Sequence, residues 1–466
     1  MTQAAPAKRL VCVSNRISLP SKNAAAGGLA VGILGALHKT GGLWFGWSGE
    51  LSETDPGDAD IHIRNGVSFA TIELKRTDYE LYYNGYANET LWPLCHYLLK
   101  DFKFKAEEHD AYENVNRLFA TKLLPLLQPD DVIWIHDYHL IPMARLLREA
   151  GCKQPVGFFL HIPFPHIEML RVLPTYAELL RDLTAYDVVG FQTDSDLRAF
   201  QSGIEYLFGV DSLRPDKRLV IGERQLLADV FPIGVDVERI QNEALEARQS
   251  EVVQRTVDSL VGRKLMMGVD RLDYSKGLVE RFAAYRQFLE TFPDNVGRIT
   301  YIQIAPLSRS EVRAYAEIRN SLEQAAGQTN GQFGDTDWTP IRYLNRNFPH
   351  ATLMGFLRAS HVGLVTPVRD GMNLVAKEYL AAQDEHDPGV LILSNLAGAA
   401  KELTSAILIN PYDARALGMA IQTALTMPLA ERRDRHALMM ETVRRNDIHH
   451  WADSFVGALQ PSGVRV

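Results

Sequence analysis

Two positively charged side chains follow one apolar segment at a spacing that suits a diphosphate ligand. Lys264–Val269 predicts a strand, and Arg271 and Lys276 come soon after it, five residues apart. If the loop between them curls, both converge on one anion, the arginine as a planar fork and the lysine as a compact charge. The alternative is that both are solvated surface charges. Ligand sites of open α/β sheets lie beyond the carboxyl ends of strands, so both interpretations stay open here.

A second group of polar residues follows the predicted strand Val362–Thr366. Gly371 permits a tight turn, and the amides of Met372–Val375 would begin the next helix, where they can donate to a phosphate or to sugar hydroxyls. Asp370 adds an acceptor, and Glu378 lies one helical turn further on, within reach of a ribose diol. The alternative makes Asp370 the helix N-cap and places Glu378 on a solvated face.

Two arginines and a glycine pair stand where a phosphomonoester could bind. Arg16 follows the predicted first strand, and Arg309 begins a helix within the capping-box spacing of Ser308–Glu311. Each charge-assisted hydrogen bond to such a phosphate contributes about 1.5–3 kcal/mol. Gly27 and Gly28 precede another helix, whose N-terminal amides favour an anion. A glycine pair in this position is nevertheless more often a plain turn.

Histidines are the remaining candidate ligands. His136 and His139 end one predicted strand, and His161 ends the next. A metal pair is one interpretation of the first two, but no third ligand is evident and core histidines are commoner. The sequence has no GxxxxGK[ST], GxSxG or CxxC motif, which excludes P-loop nucleotide hydrolases, typical esterases and dithiol enzymes. The residues predict an enzyme that holds phosphorylated ligands with cations and helix ends instead of a metal.

An alternation of strands and helices positions these residues. The predicted strands are Leu10–Val13, Ser68–Leu74, Val132–His136, Val156–His161, Val188–Gln192, Asp229–Ile233, Lys264–Val269, Ile299–Ile304, Ile341–Leu344, Val362–Thr366, Val390–Ser394 and Ala406–Ile409. The predicted helices include Tyr112–Leu127, Leu140–Ala150, Asp196–Phe208, Gln241–Gln254, Leu278–Phe292, Glu311–Ala326 and Leu374–Ala382. Nearly continuous Val, Ile and Leu runs indicate parallel sheets covered by helices on both faces. Two such series predict two doubly wound α/β domains, with a first crossing at Phe231–Asp236 and a loop at Thr54–Gly66.

Length, charge and cysteine content fit this architecture. The 466 residues are about three times the ~150 expected of one domain. A net charge of −8 argues against nucleic acid or an anionic membrane as the main partner. The longest uncharged stretch, 24–37, is too short to span a membrane, and no signal sequence precedes the first strand. Three cysteines without a CxxC pair fit a reducing compartment, so we expect a cytoplasmic protein.

Longer motifs resemble those of the trehalose-6-phosphate synthases, glycosyltransferase family 20. They follow the family's order from about residue 9 to about residue 451, which is essentially the whole chain. The motifs are 14–16 (SNR), 27–32 (GGLAVG), 44–47 (WFGW), 134–139 (WIHDYH), 159–165 (FLHIPFP), 271–277 (RLDYSKG) and 370–379 (DGMNLVAKEY).

The resemblance implies a GT-B fold, in which two Rossmann-like parallel-sheet domains face each other across a cleft and no metal or cofactor is used. It implies an acceptor domain at 1–236, joined by the C-terminal segment 446–466, and a nucleotide-sugar domain at 237–445. The implied reaction transfers glucose from UDP-glucose to glucose 6-phosphate and gives α,α-trehalose 6-phosphate and UDP, with retained anomeric configuration. A homo-oligomer, dimer or tetramer, is also expected.

Site residues are carried over from the family motif by motif. Arg16, Arg309 and Tyr83 would hold the acceptor phosphate, Asp137 would orient a sugar hydroxyl, and Trp92 would pack near the acceptor's anomeric carbon. The implied catalytic residues are His161, Arg271, Lys276 and Asp370. The implied donor-binding residues are Gly27, Gly28, Phe348, Met372, Asn373, Leu374, Val375 and Glu378.

The same resemblance implies a same-face reaction in which the leaving phosphate takes the acceptor's proton and no protein nucleophile is needed. Three alternatives stay open. The base of the donor could be adenine or guanine, the acceptor could be that of a glucosylglycerol-phosphate or pseudo-sugar phosphate synthase, and the chain could be a non-catalytic regulatory subunit of the same fold.

Overall fold

The structure is a computed structural model that describes residues 8–17, 28–214, 216–307 and 313–460. Within these ranges the chain forms two compact units. The first contains 8–17, 29–232 and 449–460, and the second contains Gly28 and 233–448. The division into an acceptor domain at 1–236 and 446–466 and a donor domain at 237–445 stays a prediction.

Apolar runs form the strands of both units. They are β1 (Leu10–Arg16), β2 (Leu43–Ser52), β3 (Asp60–Arg64), β4 (Val67–Lys75), β5 (Val132–His136), β6 (Val156–Phe159), β7 (Val188–Phe191), β8 (Arg218–Ile221), β9 (Arg224–Val230), β10 (Lys264–Val269), β11 (Ile299–Ile304), β12 (Ile341–Leu344), β13 (Val362–Val365), β14 (Val390–Ser394) and β15 (Ile407–Ile409).

The helices fall mainly between the strands. They are α1 (Gly28–Thr40), α2 (Arg76–Asp78), α3 (Trp92–Cys95), α4 (Ala106–Leu123), α5 (Met143–Glu149), α6 (Ile167–Leu170), α7 (Tyr176–Leu183), α8 (Asp194–Phe208), α9 (Val237–Ala247), α10 (Glu251–Asp258), α11 (Leu278–Thr291), α12 (Arg313–Phe333), α13 (His350–Ala359), α14 (Leu374–Ala382), α15 (Ala414–Thr426), α16 (Leu429–Arg445) and α17 (Ile448–Leu459). A π-helical segment, Tyr79–Leu91, joins α2 to α3. Across the described part of the chain, no helix combines the length and apolarity needed to cross a membrane.

Each unit contains one sheet whose strand order changes direction in its middle. Among the described residues, the first sheet has the order β3-β4-β2-β1-β5-β6-β7-β9-β8 and the second β12-β11-β10-β13-β14-β15. The chain winds outward from β1 and β5 in the first sheet, and from β10 and β13 in the second. Ligands of doubly wound sheets bind beyond the carboxyl ends of strands at such switch points. The loops after these four strands are therefore where the fold favours a site.

The prediction of parallel pairing is wrong at both edges of the first sheet. There β3 pairs antiparallel with β4, and β8 pairs antiparallel with β9. Asn65 and Gly66 have φ values of 51° and 77° and form the tight turn between β3 and β4. An Asn-Gly pair favours this two-residue hairpin turn because both positions need positive φ. Part of 54–66, predicted to be a loop, is therefore a strand.

Other predicted elements have the right type but the wrong ends. The strand expected at Asp229–Ile233 runs from Arg224 to Val230, before Pro232, which lacks the N–H that a ladder needs. The helix expected at Gln241–Gln254 is two helices, because Ser250 Oγ accepts from the Val253 N–H and begins α10. These differences lie outside the candidate site.

Helix α17 completes the core of the first unit although it follows the second unit in the sequence. The Trp451 and Phe455 rings lie 4.8 Å and 4.7 Å from the ring of Trp134 in β5. A Cβ at Gly157 or Gly190 would come within 2.8 Å or 2.7 Å of the Phe455 ring. Glycine in β6 and β7 therefore makes room for this helix against the sheet.

Candidate active site

Two loops meet at the switch point of the second sheet. The first, 270–277, follows β10, and the second, 366–373, follows β13. The Val368 N–H donates to Ser275 O at 2.9 Å. Gly277 has φ 64°, and a Cβ there would lie 2.5 Å from Thr366 O. The predicted diphosphate and sugar segments are thus held against each other by backbone contacts.

The fully buried side chain of Arg281 binds both loops. The Arg281 guanidinium donates to Asp270 Oδ2 at 2.6 Å, to Thr366 Oγ1 at 2.8 Å and to Gln303 Oε1 at 2.9 Å. It also reaches Lys276 O at 3.3 Å. Burial raises the pKa of Asp270, and the neighbouring Arg281 opposes that rise. This network fixes where the loop after β10 begins and where it ends.

Lys276 and Asp370 form an ion pair across the two loops. Their side chains are only 12% and 14% exposed. Asn373 Nδ2 also donates to Asp370 Oδ2 at 3.0 Å. The residue that precedes α14 is Asn373, at φ 71°, so the alternative that made Asp370 the helix N-cap is wrong. Arg271 lies in the same loop as Lys276 and is exposed.

More of the predicted donor-binding residues lie at the start of α14. Leu374 and Val375 form its first turn, whose N–H groups have no partners within the helix. Met372 is buried, and its carbonyl accepts from the Ala399 N–H at 2.8 Å. The predicted bounds of this helix are confirmed, and the turn begins beside the Lys276–Asp370 pair.

Glu378 faces the first residue of α13, and Phe348 lies two residues before that helix. Glu378 is partly buried, and its Oε1 is 3.6 Å from His350 Nε2. The Phe348 ring has the Arg346 guanidinium 4.4 Å from its centre and the Phe356 ring 5.4 Å away. The alternative that placed Glu378 on a solvated face is therefore wrong, because its side chain is only 13% exposed and a histidine faces it.

In the first unit, aromatic rings bring Arg16 and Tyr83 together. The Arg16 guanidinium lies over Trp47, 5.5 Å from the ring centre. The Tyr83 ring is 6.3 Å from Trp47 and stacks on His139 at 5.6 Å. Gly49 has φ 95°, and a Cβ there would come within 2.6 Å of the Arg16 guanidinium. Arg16 is exposed yet oriented by its neighbours.

Asp137 and His161 follow adjacent strands of the first sheet and touch. The His161 N–H donates to Asp137 Oδ1 at 3.2 Å. Asp137 has φ 76°, a conformation that Asp tolerates better than most residues. His161 Nε2 is 3.2 Å from His136 Nδ1, and burial lowers the pKa of His161 to about 3. His161 is therefore neutral near pH 7, suited to a hydroxyl and not to a phosphate charge.

Trp92 lies next to this group. Its ring is buried and packs against Tyr138 at 5.7 Å, immediately after Asp137. Four of the five predicted acceptor residues, Arg16, Tyr83, Trp92 and Asp137, are thus linked by contacts within the first unit.

Gly27 and Arg309, together with the Ser308–Glu311 capping box, lie outside the described residues. Gly28 is the first residue of α1, as expected for a helix N-terminus. Within the described ranges, no group of three or more His, Cys, Asp or Glu side chains is arranged to hold a metal ion.

Sequence reasoning missed Arg281 and His350. Arg281 occupies the buried face of α11, between Leu278 and Phe282, where the 3.6-residue period puts apolar side chains. An arginine on that face was a readable sign of a buried ion pair. His350 had no comparable sign, because its two carboxylate partners are distant in sequence.

Residues 8–461 match the sequence pattern of glycosyltransferase family 20. The chain belongs to this family. Its two parallel-sheet domains have the GT-B architecture of the solved family 20 structures, so the predicted family and fold class are confirmed.

Similar family 20 proteins match over nearly their full length. One is a trehalose-6-phosphate synthase from Klebsiella pneumoniae subsp. pneumoniae, 51% identical over 453 residues, which are 97% of this chain and 95% of the relative. A solved alpha,alpha-trehalose-phosphate synthase (UDP-forming) from Burkholderia xenovorans, in complex with glucose-6-phosphate, has a TM-score of 0.94 and 46% identity, covering 97% of this chain and 100% of that one. A solved Escherichia coli structure bound with UDP-2-fluoro glucose has a TM-score of 0.92 and 48% identity, covering 97% and 98%.

Proposed function

We propose that this family 20 chain transfers glucose from UDP-glucose to glucose 6-phosphate, producing α,α-trehalose 6-phosphate and UDP with retained configuration. Similarity over essentially the whole chain to trehalose-6-phosphate synthases supports the reaction. The ligands of the Burkholderia xenovorans and Escherichia coli structures support the acceptor and the donor.

The contact between loops 270–277 and 366–373 is the observation that carries the donor assignment. It gathers Lys276, Asp370 and the open amides of α14 at the switch point of one sheet. Arg271 and Lys276 bind the diphosphate, with Gly27 and Gly28 as further amide donors. Asp370 accepts from donor sugar hydroxyls, and Glu378 accepts from the ribose. Phe348, Met372, Asn373, Leu374 and Val375 complete the donor contacts.

The acceptor assignment depends on the linked residues of the first unit. Arg16, Tyr83 and Arg309 bind the phosphate of glucose 6-phosphate, and Asp137 accepts from one of its hydroxyls. Trp92 packs beside the anomeric carbon and favours the α form. Tyr83 stacks on His139, and the Arg16 guanidinium lies over Trp47. These contacts orient both phosphate-binding side chains before the substrate binds.

Stabilisation of the negative charge on the leaving group accelerates the transfer. As the bond between the glucose anomeric carbon and the β-phosphate oxygen breaks, negative charge grows on UDP, and Arg271 and Lys276 stabilise it. The acceptor hydroxyl oxygen bonds to the same face of that carbon, and its proton passes to the departing phosphate oxygen. Neutral His161 contacts the glucose being transferred. In this scheme no protein nucleophile is needed, and no metal or other cofactor takes part.

The setting of the reaction is part of the proposal. We place the enzyme in the cytoplasm, as a dimer or tetramer of identical chains. Size-exclusion chromatography with light scattering measures the assembly state, and a monomer at assay concentration contradicts this part.

Product analysis tests the function. The purified enzyme is incubated with glucose 6-phosphate and, in parallel, UDP-, ADP- or GDP-glucose, with and without EDTA. We expect UDP release and the NMR signals of α,α-trehalose 6-phosphate, unaffected by EDTA. Glycerol phosphate as acceptor tests the related transferases. Absence of nucleotide release with every donor supports the regulatory-subunit alternative, and activity that EDTA abolishes and a metal restores contradicts the metal-free mechanism.

A further inference from the structure

His350 stands between two carboxylates at the start of α13. Its Nδ1 is 2.5 Å from Glu243 Oε2 on α9, and its Nε2 is 3.6 Å from Glu378 Oε1 on α14. The imidazole is 18% exposed and the two carboxylates are 21% and 13% exposed. The histidine therefore connects an otherwise unassigned helix, α9, to the carboxylate that is proposed to bind the donor ribose.

Only the protonated ring satisfies both neighbours. A neutral imidazole carries one N–H and presents a lone pair at the other nitrogen, whereas the imidazolium donates from both. Burial lowers the pKa of His350, but hydrogen bonding and charge from Glu378 and Glu243 outweigh it, so this pKa lies above its usual value. The ring therefore keeps its proton to a higher pH than an ordinary histidine does, and while it is protonated the Glu378 carboxylate faces a cation.

The charged groups around the ring are few. Glu243 on α9 is also bound by Arg239, whose Nε lies 2.7 Å from Glu243 Oε1, and both partners lower the pKa of Glu243. On α14, Glu378 faces the ring, whereas Lys377 pairs with Glu402 and donates to Ile233 O. On the segment that precedes α13, the Arg346 guanidinium lies over Phe348. Arg239 neutralises Glu243, and among the described residues of this cluster protonated His350 is the cation that faces Glu378.

We propose that His350 is a positioning residue for the donor site: its protonated ring holds Glu378 in the orientation that accepts from the nucleotide ribose, so donor affinity decreases as the ring loses its proton. The inference rests on the proposed function, which assigns Glu378 to the ribose. The shorter contact retains the last proton on Nδ1, towards Glu243. Nε2 then turns a lone pair towards Glu378, whose carboxylate is repelled from it.

The direction of the pH effect follows. Below the raised pKa of His350 the ring is protonated and KM for UDP-glucose is low. Above it, KM rises by about five- to tenfold, at the lower end of ordinary coupling between two binding events. The kcat value changes less than twofold, because the ring contacts none of the reacting atoms.

Steady-state kinetics from pH 6 to pH 9 tests this. Glucose 6-phosphate is kept saturating. UDP-glucose is the varied substrate because its diphosphate is esterified at both ends, so each phosphate keeps one strongly acidic group that does not titrate in this range. The variants are His350→Arg, which keeps a permanent charge, and His350→Gln, which keeps one donor and no charge. His386→Arg is the matched control, since His386 is exposed and lies before the amino end of β14, away from the start of α13 in the sequence. Thermal melting confirms that each variant is folded.

The wild type and His386→Arg are expected to show the rise in KM. His350→Arg is expected to keep a low KM, and His350→Gln a high one, both independent of pH. A wild type that turns over with a flat profile, or variants that retain its pH dependence, overturn the His350 proposal and leave the proposed function intact. A wild type that forms no product with any nucleotide sugar overturns the proposed function and this inference together.

Discussion

The two units hold their candidate ligand groups by different means. In the first, Arg16 lies over Trp47 and Tyr83 stacks on His139, so rings orient the groups and the cation itself is exposed. In the second, the loops after β10 and β13 rest on the buried guanidinium of Arg281, which makes four hydrogen bonds beneath them.

This difference predicts different responses to substitution. Stacked rings surround an exposed group, and losing one contact leaves no charge stranded in the core. A buried ion pair is more vulnerable, because removing one partner leaves an uncompensated charge. We therefore expect single changes in the second unit to affect turnover or stability, and changes in the first unit to affect acceptor affinity.

The largest effect is expected for Arg271→Ala. Removing a preorganised charge from the leaving group lowers kcat by about 10²–10³-fold. Because Arg271 is exposed, stability should be unchanged. UDP release measures the loss, and Arg298→Ala, an exposed arginine just before β11, is the control. Equal turnover in Arg271→Ala and the wild type would refute the leaving-group role and remove the contrast between the units.

Arg281→Met tests the buried network. Asp270 would keep a carboxylate in the core without its partner, at a cost of about 3–5 kcal/mol in the free energy of unfolding. Denaturant unfolding followed by circular dichroism measures this. The companion variant Arg281→Met with Asp270→Asn removes the stranded charge and should recover part of the stability. If the single and double variants are equally unstable, lost packing and not charge explains the defect.

Asp137→Asn sharpens the comparison from the side of the first unit. Asn tolerates the φ of 76° and retains the size of the side chain, but it weakens a charge-assisted bond to the acceptor hydroxyl. We expect KM for glucose 6-phosphate to rise about tenfold, which is about 1.4 kcal/mol, because a neutral bond of about 0.5–1.5 kcal/mol replaces a charge-assisted one of about 1.5–3 kcal/mol. KM for UDP-glucose should not move. Asp110→Asn, on the exposed side of α4, is the control. A larger change in the donor KM than in the acceptor KM contradicts the assignment.

The smallest change is expected at His161, whose ring should not titrate between pH 5 and pH 8. Burial lowers its pKa to about 3, so the folded ring stays neutral from pH 8 to pH 5. The unfolded chain would bind a proton below about pH 6.5, so the stability due to this residue is present above that pH and is lost as pH falls towards 3. Two-dimensional NMR of the ring, assigned with His161→Gln, measures it. A midpoint between pH 5 and pH 8 would contradict a neutral His161.

Much of the fold could be predicted because several elements are delimited by local signals. Lys264–Val269, Ile299–Ile304 and Leu374–Ala382 have the predicted bounds. Each is a mostly apolar run with a polar residue immediately before it. The positions of Arg271 and Asp370 were also predictable in part, because the carboxyl ends of neighbouring parallel strands lie at one edge of a sheet. The Asn65-Gly66 hairpin was readable from its turn residues and was missed.

What could not be predicted are the pairs that form across long sequence separations. Lys276 meets Asp370, and His350 meets Glu243, only after the sheet and its helices have packed. The neutral state of His161 likewise follows from burial and not from its motif. Sequence identifies residue types at strand ends, but partner and protonation state depend on the packed structure.

The position of α17 has a consequence for biosynthesis. During translation, the β-sheet of the first unit emerges from the ribosome long before Trp451 and Phe455 are made, and the space above Gly157 and Gly190 is then uncovered. The nascent first unit therefore keeps this apolar surface exposed until the second unit and then α17 have been synthesised. Completion of its folding is tied to the end of the second unit's translation, and chaperone protection would be needed most during that interval.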